Sequence, residues 1–399
     1  MQDKFIIKLL GIEDKHVELW DVDESKSKLQ AWVTTKVKTQ KCPKCKARTR
    51  KVHAYFDQTV ESIGGLHKPL TLHIKKRRYK CKSCQATFME KLSFIKRYQR
   101  CLSVVPQTAL IAAGKASFAH ASMQYNISSQ RLIRQFDRMT IKTPKVLPEV
   151  LAIDEFKGDA DGEKFQTVIV DADNRKVIDV LPDRKKETII SYLRSCDTGQ
   201  VRAVVMDLSR GFKEAVREVL GNPIIIADRF HYMRQVYNAF DEVRREVQNE
   251  LSDEERKHMK RSKEMLWKSS KKITSETKEK VDKMLSISSK LKHAYELKDE
   301  LDDWFKNSDL HTAKEGFEKC IEKLENSPYE SFNRVARTFE RWRLEILNSF
   351  SHLYNNGVTE GINNMIKVIK RHSFGIKDFQ RFRKKILWYQ EVKEMTETL

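Results

Sequence analysis

The chain has 399 residues, 40% of them hydrophobic, and a formal charge of +21 at pH 7. That length and apolar content exclude a disordered tail and leave room for two or three domains with at least one ordinary core. No run of about eighteen apolar residues occurs, and the opening MQDKFIIKLL lacks the pattern of a secretory signal, so we expect a soluble, cytoplasmic protein that avoids membranes.

The first forty residues read as short strands, FIIKLL, HVELWDV and KLQAWVTTKV, leading into CPKC (Cys42, Cys45). A second pair, CKSC (Cys81, Cys84), follows after 35 intervening residues that include the turn IGGLHKP and, up to its final Cys81, the strand-like run LTLHIKKRRYKC. Two Cys-x-x-Cys turns, each at the end of a hairpin, bring four thiolates round one tetrahedral Zn²⁺. A redox pair would need a thioredoxin-like βαβ context, which this stretch lacks. Residues 1–100 are therefore expected to form a β element and a zinc ribbon, with Zn²⁺ on Cys42, Cys45, Cys81 and Cys84. Those four complete the shell, so His53, His67 and His73 read as strand or surface residues. Cys101, Cys196 and Cys320 are isolated and read as small apolar residues.

The charge is concentrated here. From Lys41 to Arg100 there are 17 Lys/Arg against 3 Asp/Glu, and residues 101–150 add 6 against 2. A solvated basic face is the bland reading, but positive charge gathered in the first third attracts a polyanion by counterion release, and DNA or RNA is the usual one.

Residues 101–142 read as three short helices, VVPQTALIAAG, KASFAHASMQYN and ISSQRLIRQFDRM, the last capped by Ser128 or Ser129. Ile127, Leu132, Ile133 and Phe136 fall on its inner face, and Arg131, Arg134 and Arg138 on its outer face. Directly after a basic ribbon this fits a helix-turn-helix whose last helix reaches a major groove. TIKTPKVLPEV, with Pro144 and Pro148, marks a boundary.

Beyond it the pattern changes to α/β. EVLAIDEFKG is an apolar strand ending in Asp154, and KFQTVIVDADNRKVIDVLPD is two strands joined at Asp173 and Asn174. RKKETIISYLRSC suits a helix through Ile189, Ile190 and Leu193. VRAVVMDLSRGF is a buried strand ending in Asp207 with the helix FKEAVREVL behind it, and NPIIIADRFH is a strand ending in Asp228 before a long helix. The order βββαβαβα is that of a ribonuclease-H-like mixed sheet flanked by helices, in which the first and fourth strands lie side by side and parallel. Asp154 and Asp207 then converge, and two carboxylates repel unless a divalent cation joins them; Mg²⁺, or Mn²⁺, is the hard partner expected.

A third acid comes from YNNGVTEGINNMIKVIKRHSFG. Glu360 lies in the first turn of a helix that starts after Gly357, with Thr359 as a cap and Ile362, Met365, Ile366 and Ile369 as the apolar face. Lys367, Lys370 and Arg371 offer charge to DNA, and the amides of Asn363 and Asn364 suit a phosphate or substrate. Asp154, Asp207 and Glu360 holding two metal ions would activate a water or a 3′-hydroxyl at a phosphodiester. Singly none of them persuades. A strand-end Asp is usually a turn or cap residue, and a first-turn Glu simply favours the helix dipole. Their force comes from order and element type. Glu155 points to the opposite face of its strand and stays outside the expected site.

AIDEFKG, VVMDLSRGF, IIIADRFH and NNGVTEGINNMIKVIKRHSFG, together with the ribbon and the helical reader ahead of them, resemble bacterial insertion-sequence transposases of the ISL3 group over nearly the whole chain. The resemblance implies a DDE-type DNA transposase. It would bind the terminal inverted repeats of its insertion sequence in double-stranded DNA and carry out metal-dependent cleavage and strand transfer. It would work as a homodimer or larger assembly, in the bacterial cytoplasm and on the nucleoid when bound to DNA. By the same resemblance Asp154, Asp207 and Glu360 are the catalytic triad, and Asp228 and His231 are a supporting D-x-x-H pair. The stretch 232–349 is then an all-α insertion, assigned no chemistry, within a catalytic core of 143–231 and 350–399. Two other readings stand beside it: a zinc-ribbon and helix-turn-helix DNA-binding regulator with an inactive core, and a structure-specific nuclease on the same core.

Overall fold

The computed structural model describes residues 2–63, 68–96, 98–259, 262–268, 273–352, 354 and 357–397. The chain divides into two units, 1–141 with 369–375 and 391–399, and 142–368 with 376–390.

The first unit begins with a helix where a strand was expected: α1 (Gln2–Leu9) takes up FIIKLL. Ile7 is buried with Ile12 and Val17, while Phe5 and Leu9 stay exposed. So short an apolar run carries no period that separates strand from helix. Seven strands follow, β1 (Val17–Glu24), β2 (Leu29–Thr35), β3 (Gln40–Lys41), β4 (Arg48–Thr49), β5 (Val52–Ser62), β6 (Leu70–Lys80) and β7 (Thr87–Met89). Five of them form a sheet in the order β1-β2-β6-β5, with β7 also on β6. Side chains alternate along β6: Leu70, Leu72 and Ile74 join Val33 and Val60 in the core, and Thr71, His73 and Lys75 face the other way. His73 stacks on Trp32 at 4.8 Å, a strand residue as expected; His53 is exposed on β5, and His67 lies outside the described residues.

Three helices follow in this unit, α2 (Val104–Lys115), α3 (Phe118–Gln124) and α4 (Ser129–Arg138). Ser117 and Ser128 cap the last two by accepting the His120 and Arg131 N–H groups. Leu132 and Phe136 are buried, and Phe136 meets Phe118 edge-on at 5.0 Å. Arg134 and Arg138 are exposed, whereas Arg131, Ile127 and Ile133 are half-buried.

The second unit holds β8 (Val150–Phe156), β9 (Gln166–Asp171), β10 (Lys176–Leu181), α5 (Lys186–Arg194), β11 (Ala203–Met206), α6 (Arg210–Leu220) and β12 (Ile224–Ala227). The strand order is β10-β9-β8-β11-β12. β9 is antiparallel to β8 and β10, and β11 is parallel to β8 and β12. This is the ribonuclease-H-like topology. β8 does not end at Asp154 but runs on to Phe156, which pairs with Gln166 and packs edge-on against Phe382. Leu151, Ile153, Ile169, Ile178 and Val204 bury one sheet face against Ile189 and Leu193 of α5 and Phe212 and Val216 of α6.

After β12 come α7 (Arg229–Glu250), α8 (Asp253–His258), α9 (Ser262–Leu266), α10 (Ser275–Ser286), α11 (Ser289–Asn307), α12 (Ala313–Glu325), α13 (Glu330–Arg341) and α14 (Arg343–Ser351). They share a core around Phe240, Leu291, Phe317, Phe332 and Phe339. Last are α15 (Gly357–His372) and α16 (Phe379–Glu397). Thr359 is no cap, because α15 already includes Gly357; its hydroxyl is buried inside the first turn.

One residue of this helical region tests the packing. In a helix interior Ala is favoured over Gly by about 1 kcal/mol. At Gly316, however, a Cβ would lie 2.3 Å from Trp304 Cδ1, and that indole is pinned by its N–H bond to the Ala313 carbonyl at 3.0 Å. The clash outweighs propensity, so Gly316→Ala should destabilise by roughly 1–3 kcal/mol, read by calorimetry as a lowered Tm. A raised Tm would mean the indole is free to move.

Candidate functional site

The four cysteines come from two copies of one turn. Cys42 and Cys45 sit on the β3–β4 hairpin, Cys81 and Cys84 between β6 and β7. In each the first cysteine donates its N–H to a carbonyl five residues on, Ala47 or Ala86, at 2.9 Å. Lys46 and Gln85, at φ of 64° and 56°, take the left-handed bend that closes the turn. All four sulfurs lie within 4.8 Å of one another, with Cys42–Cys84 at 3.6 Å and Cys45–Cys81 at 3.5 Å. Zn–S bonds of about 2.3 Å in a tetrahedron give sulfur–sulfur edges of about 3.8 Å, so the donor set fits zinc. The Cys84 and Ser83 N–H groups hold the Cys81 thiol down at about 6. Against the Ala47 N–H, which favours its thiolate, Cys84 and Cys81 push Cys45 up to about 12. Four thiolates this close cannot all ionise without a cation.

In the second unit the parallel register pairs Met206 with Ile153, and one step further sets Asp207 beside Asp154. Asp154 is 4% exposed. Burial, with Asp228 adding repulsion, pushes its carboxyl up to about 6, although His231 and the Glu155 N–H pull the other way. Asp207 is likewise pushed up to about 6, by burial and then by Asp154. Asn363 donates Nδ2–H to Asp154 Oδ2 at 2.7 Å. Asp207 Oδ1 and Asn363 Oδ1 are buried with no hydrogen-bond partner. Crowded carboxylates, raised affinities for a proton and orphaned oxygens are what a hard divalent cation would relieve.

A cleft of about 1120 Å³ is lined by Asp154, Asp228, His231, Glu360 and Asn363, among others. Asp228 caps α7 by accepting the Phe230 N–H at 2.9 Å, and its Oδ2 lies 3.2 Å from His231 Nε2. Glu360 is exposed in the first turn of α15. Asp207 is not among the residues lining this cleft. Nor do the three acids converge as the cysteines do; among the described residues only the cysteines form so tight a group.

Along α15, Ile362, Ile366 and Ile369 are buried and Met365 half-buried, while Asn364, Lys367 and Arg371 are exposed and Lys370 is half-buried. Glu155, expected outside the site, lines the same cleft as Asp154; it accepts from Arg184 at 2.7 Å, and Arg184 in turn lies 4.8 Å over the Phe165 ring. Arg184 was not foreseen. It lies in the loop before α5, where no periodicity marks it.

Residues 38–84 match the zinc-finger of transposases IS204, IS1001, IS1096 and IS1165. The transposase for insertion sequence element IS1001 of Bordetella parapertussis is 27% identical over 382 residues, covering 92% of each chain. The transposase for IS1557 of Mycobacterium tuberculosis is 22% identical over 243 residues, 54% of each. A Lactococcus lactis protein named as an ATP-dependent protease is 31% identical over 111 residues, 27% of this chain and 33% of its own. No helix among the described residues is long and apolar enough to cross a membrane. The match that decides the family spans more than half of the chain, residues 151–386, and includes every acid of the cleft: the chain belongs to the DDE-type transposase family of the ISL3 group.

Proposed function

We propose that this chain binds the terminal inverted repeats of its insertion sequence and cleaves and joins DNA there, with Asp154, Asp207 and Glu360 as the catalytic acids. The observation that carries the reading is the pair of carboxylates brought side by side by adjacent parallel strands, each raised in proton affinity, with Asn363 on one of them and Glu360 in the adjoining cleft. Asp154, Asp207 and Glu360 would hold Mg²⁺, which when bound activates the attacking hydroxyl and neutralises the leaving oxygen. Asn363 fixes the rotamer of Asp154, and Asp228 orients His231 beside the acids. Arg131, Arg134 and Arg138 of α4 read or grip the repeat after the ribbon, and Lys367, Lys370 and Arg371 meet backbone phosphates. The active assembly is a dimer or larger, because two element ends must be joined to one target.

Purified protein with Mg²⁺ or Mn²⁺ and the DNA that flanks its gene should nick at the repeat boundary and yield a joined product. Binding with neither product would leave a regulator, and cleavage indifferent to the repeat, without joining, a nuclease.

Both acids must lose their protons to take up a cation, so metal affinity depends on pH. Since burial raises both to about 6, the Mg²⁺ concentration for half-maximal cleavage should be flat above that value. It should climb about tenfold or more per unit as pH falls below it. A pH–metal titration of cleavage measures this, and a midpoint near the ordinary Asp value would remove the raised acids from the reading.

A further inference from the structure

α7 buries one face and turns another towards the acid cleft. Tyr232, Val236, Phe240 and Val243 are in the core; Phe230, Arg234 and Tyr237, at spacings of four and three, share another stripe and all line the acid cleft, Phe230 and Arg234 exposed and Tyr237 half-buried against the core. Phe230 is 55% exposed, two residues past Asp228 and edge-on to His231 at 5.7 Å. An aromatic this exposed beside carboxylates contributes little to the core. The stripe runs about 10 Å along the helix axis and continues onto the end of α9. There Trp267 stacks on Tyr237 at 5.6 Å and 24°, and Lys263 Nζ lies 4.3 Å from the indole centroid. Tyr237 is held in place by donating to Asp302 at 2.7 Å. The Trp267 indole N–H is buried and has no hydrogen-bond partner.

Aromatic faces interleaved with cations are the means by which proteins hold single strands: bases stack on rings and phosphates meet Lys and Arg. Duplex DNA keeps its base faces against one another, so this stripe can meet them only where pairing is broken. We propose that Phe230, Arg234 and Tyr237, extended by Trp267 and Lys263, form a stacking track for one or two unpaired nucleotides of the strand entering the acid cleft. This rests on the reading of the acids as a DNA-cleaving centre, and it gives the helical region after β12 a part in the chemistry, that of holding the end of the strand open.

The test uses the full zinc-loaded chain without Mg²⁺, Mn²⁺ or chelator, with a fluorescein-labelled duplex that is blunt, forked into unpaired thymines, or forked into abasic sites. Wild type should bind the thymine fork about tenfold more tightly than the blunt duplex and lose that preference on the abasic fork. Phe230→Ala with Trp267→Ala should bring fork and blunt to parity at unchanged blunt affinity, and Phe230→Tyr with Trp267→Phe should restore the difference. A fork preference that survives the double Ala change, or a wild type indifferent to the fork, overturns the proposal. If the double Ala variant loses blunt binding too, cross-linking of wild type to a 5-iodouracil fork decides. Adducts within 229–237 or 262–268 support the track, and adducts only elsewhere overturn it. The two readings fail separately. A protein that cleaves no DNA yet keeps the fork preference loses its catalytic assignment alone, and one that cleaves while the double Ala change leaves the fork preference intact loses the track alone.

Discussion

Asp154→Asn should lower strand cleavage by roughly 10³-fold or more and, in the same protein, raise the Tm of the metal-free form. The first effect follows from losing a charge the metal requires. The second follows from burial. The carboxyl sits near 6 in the folded chain against an ordinary value of 3.8, so the folded state binds the proton more tightly than the unfolded state does. Its contribution to stability is full below about pH 4 and is lost as pH rises through about 6. At pH 8 the ionised acid is a cost, on the order of 1–3 kcal/mol, that an isosteric amide removes. The gain should shrink to nothing near pH 4, and added Mg²⁺ should raise the Tm of wild type but not of the variant. Asp207→Asn should behave alike in direction, since burial and Asp154 raise it too. Glu360→Gln, on an exposed first turn, should lose cleavage with no change in Tm. If Asp154 served only as a strand residue, its replacement would lower Tm and leave cleavage in place, the opposite pair of signs.

The sheet was legible because its strands bury both faces and so appear as unbroken apolar runs, each stopped by a polar residue: VVM before Asp207, IIIA before Asp228. The helix between β11 and β12 leaves their parallel pairing as the natural outcome, whereas β11 lies beside β8 and not beside β10, which no adjacent connection fixes. The knuckles were legible because a Cys-x-x-Cys turn is local. FIIKLL was not, because helix and strand both accept six apolar residues and the choice is made by packing against Ile12 and Val17.

The candidate site divides along the same line. Asp207 and Asp228 could be placed by counting to strand ends and Asp154 by its strand, although that strand runs two residues further, whereas contacts made by side chains across distant elements could not. Asn363 on Asp154 joins residues 209 positions apart, and the composition of α15 does not say which of its two asparagines turns inward. Phe230, Arg234 and Tyr237 share a stripe of α7, but nothing in the sequence sets them apart until Trp267 is seen stacked on Tyr237. An aromatic at helical spacing is ordinarily core; here exposure, not sequence, separates it from Phe240.

Cys81→Ser should abolish selective binding to the terminal repeat while leaving weak, salt-sensitive binding to any DNA. Cys42 and Cys81 have essentially no exposed surface, and the β3–β4 hairpin that carries the first pair has only two paired positions per strand. So small a hairpin does not hold itself together in water, and the apparent binding energy of a structural zinc, about 10–16 kcal/mol in small zinc domains, is what would fold it. A serine in place of Cys81 leaves three ligands and an unrelieved cluster. The ribbon should open, zinc content by mass spectrometry should fall from one per chain towards zero, and chelation of wild type should reproduce the variant. Selective binding exceeds non-selective binding by roughly 10³-fold or more in DNA readers, and that ratio is the quantity to measure. The basic charge of residues 41–100 survives the change, so residual affinity should still drop steeply with salt. If the zinc-free protein instead keeps its preference for the repeat, recognition belongs to α4 and its arginines, and the ribbon serves only to carry charge.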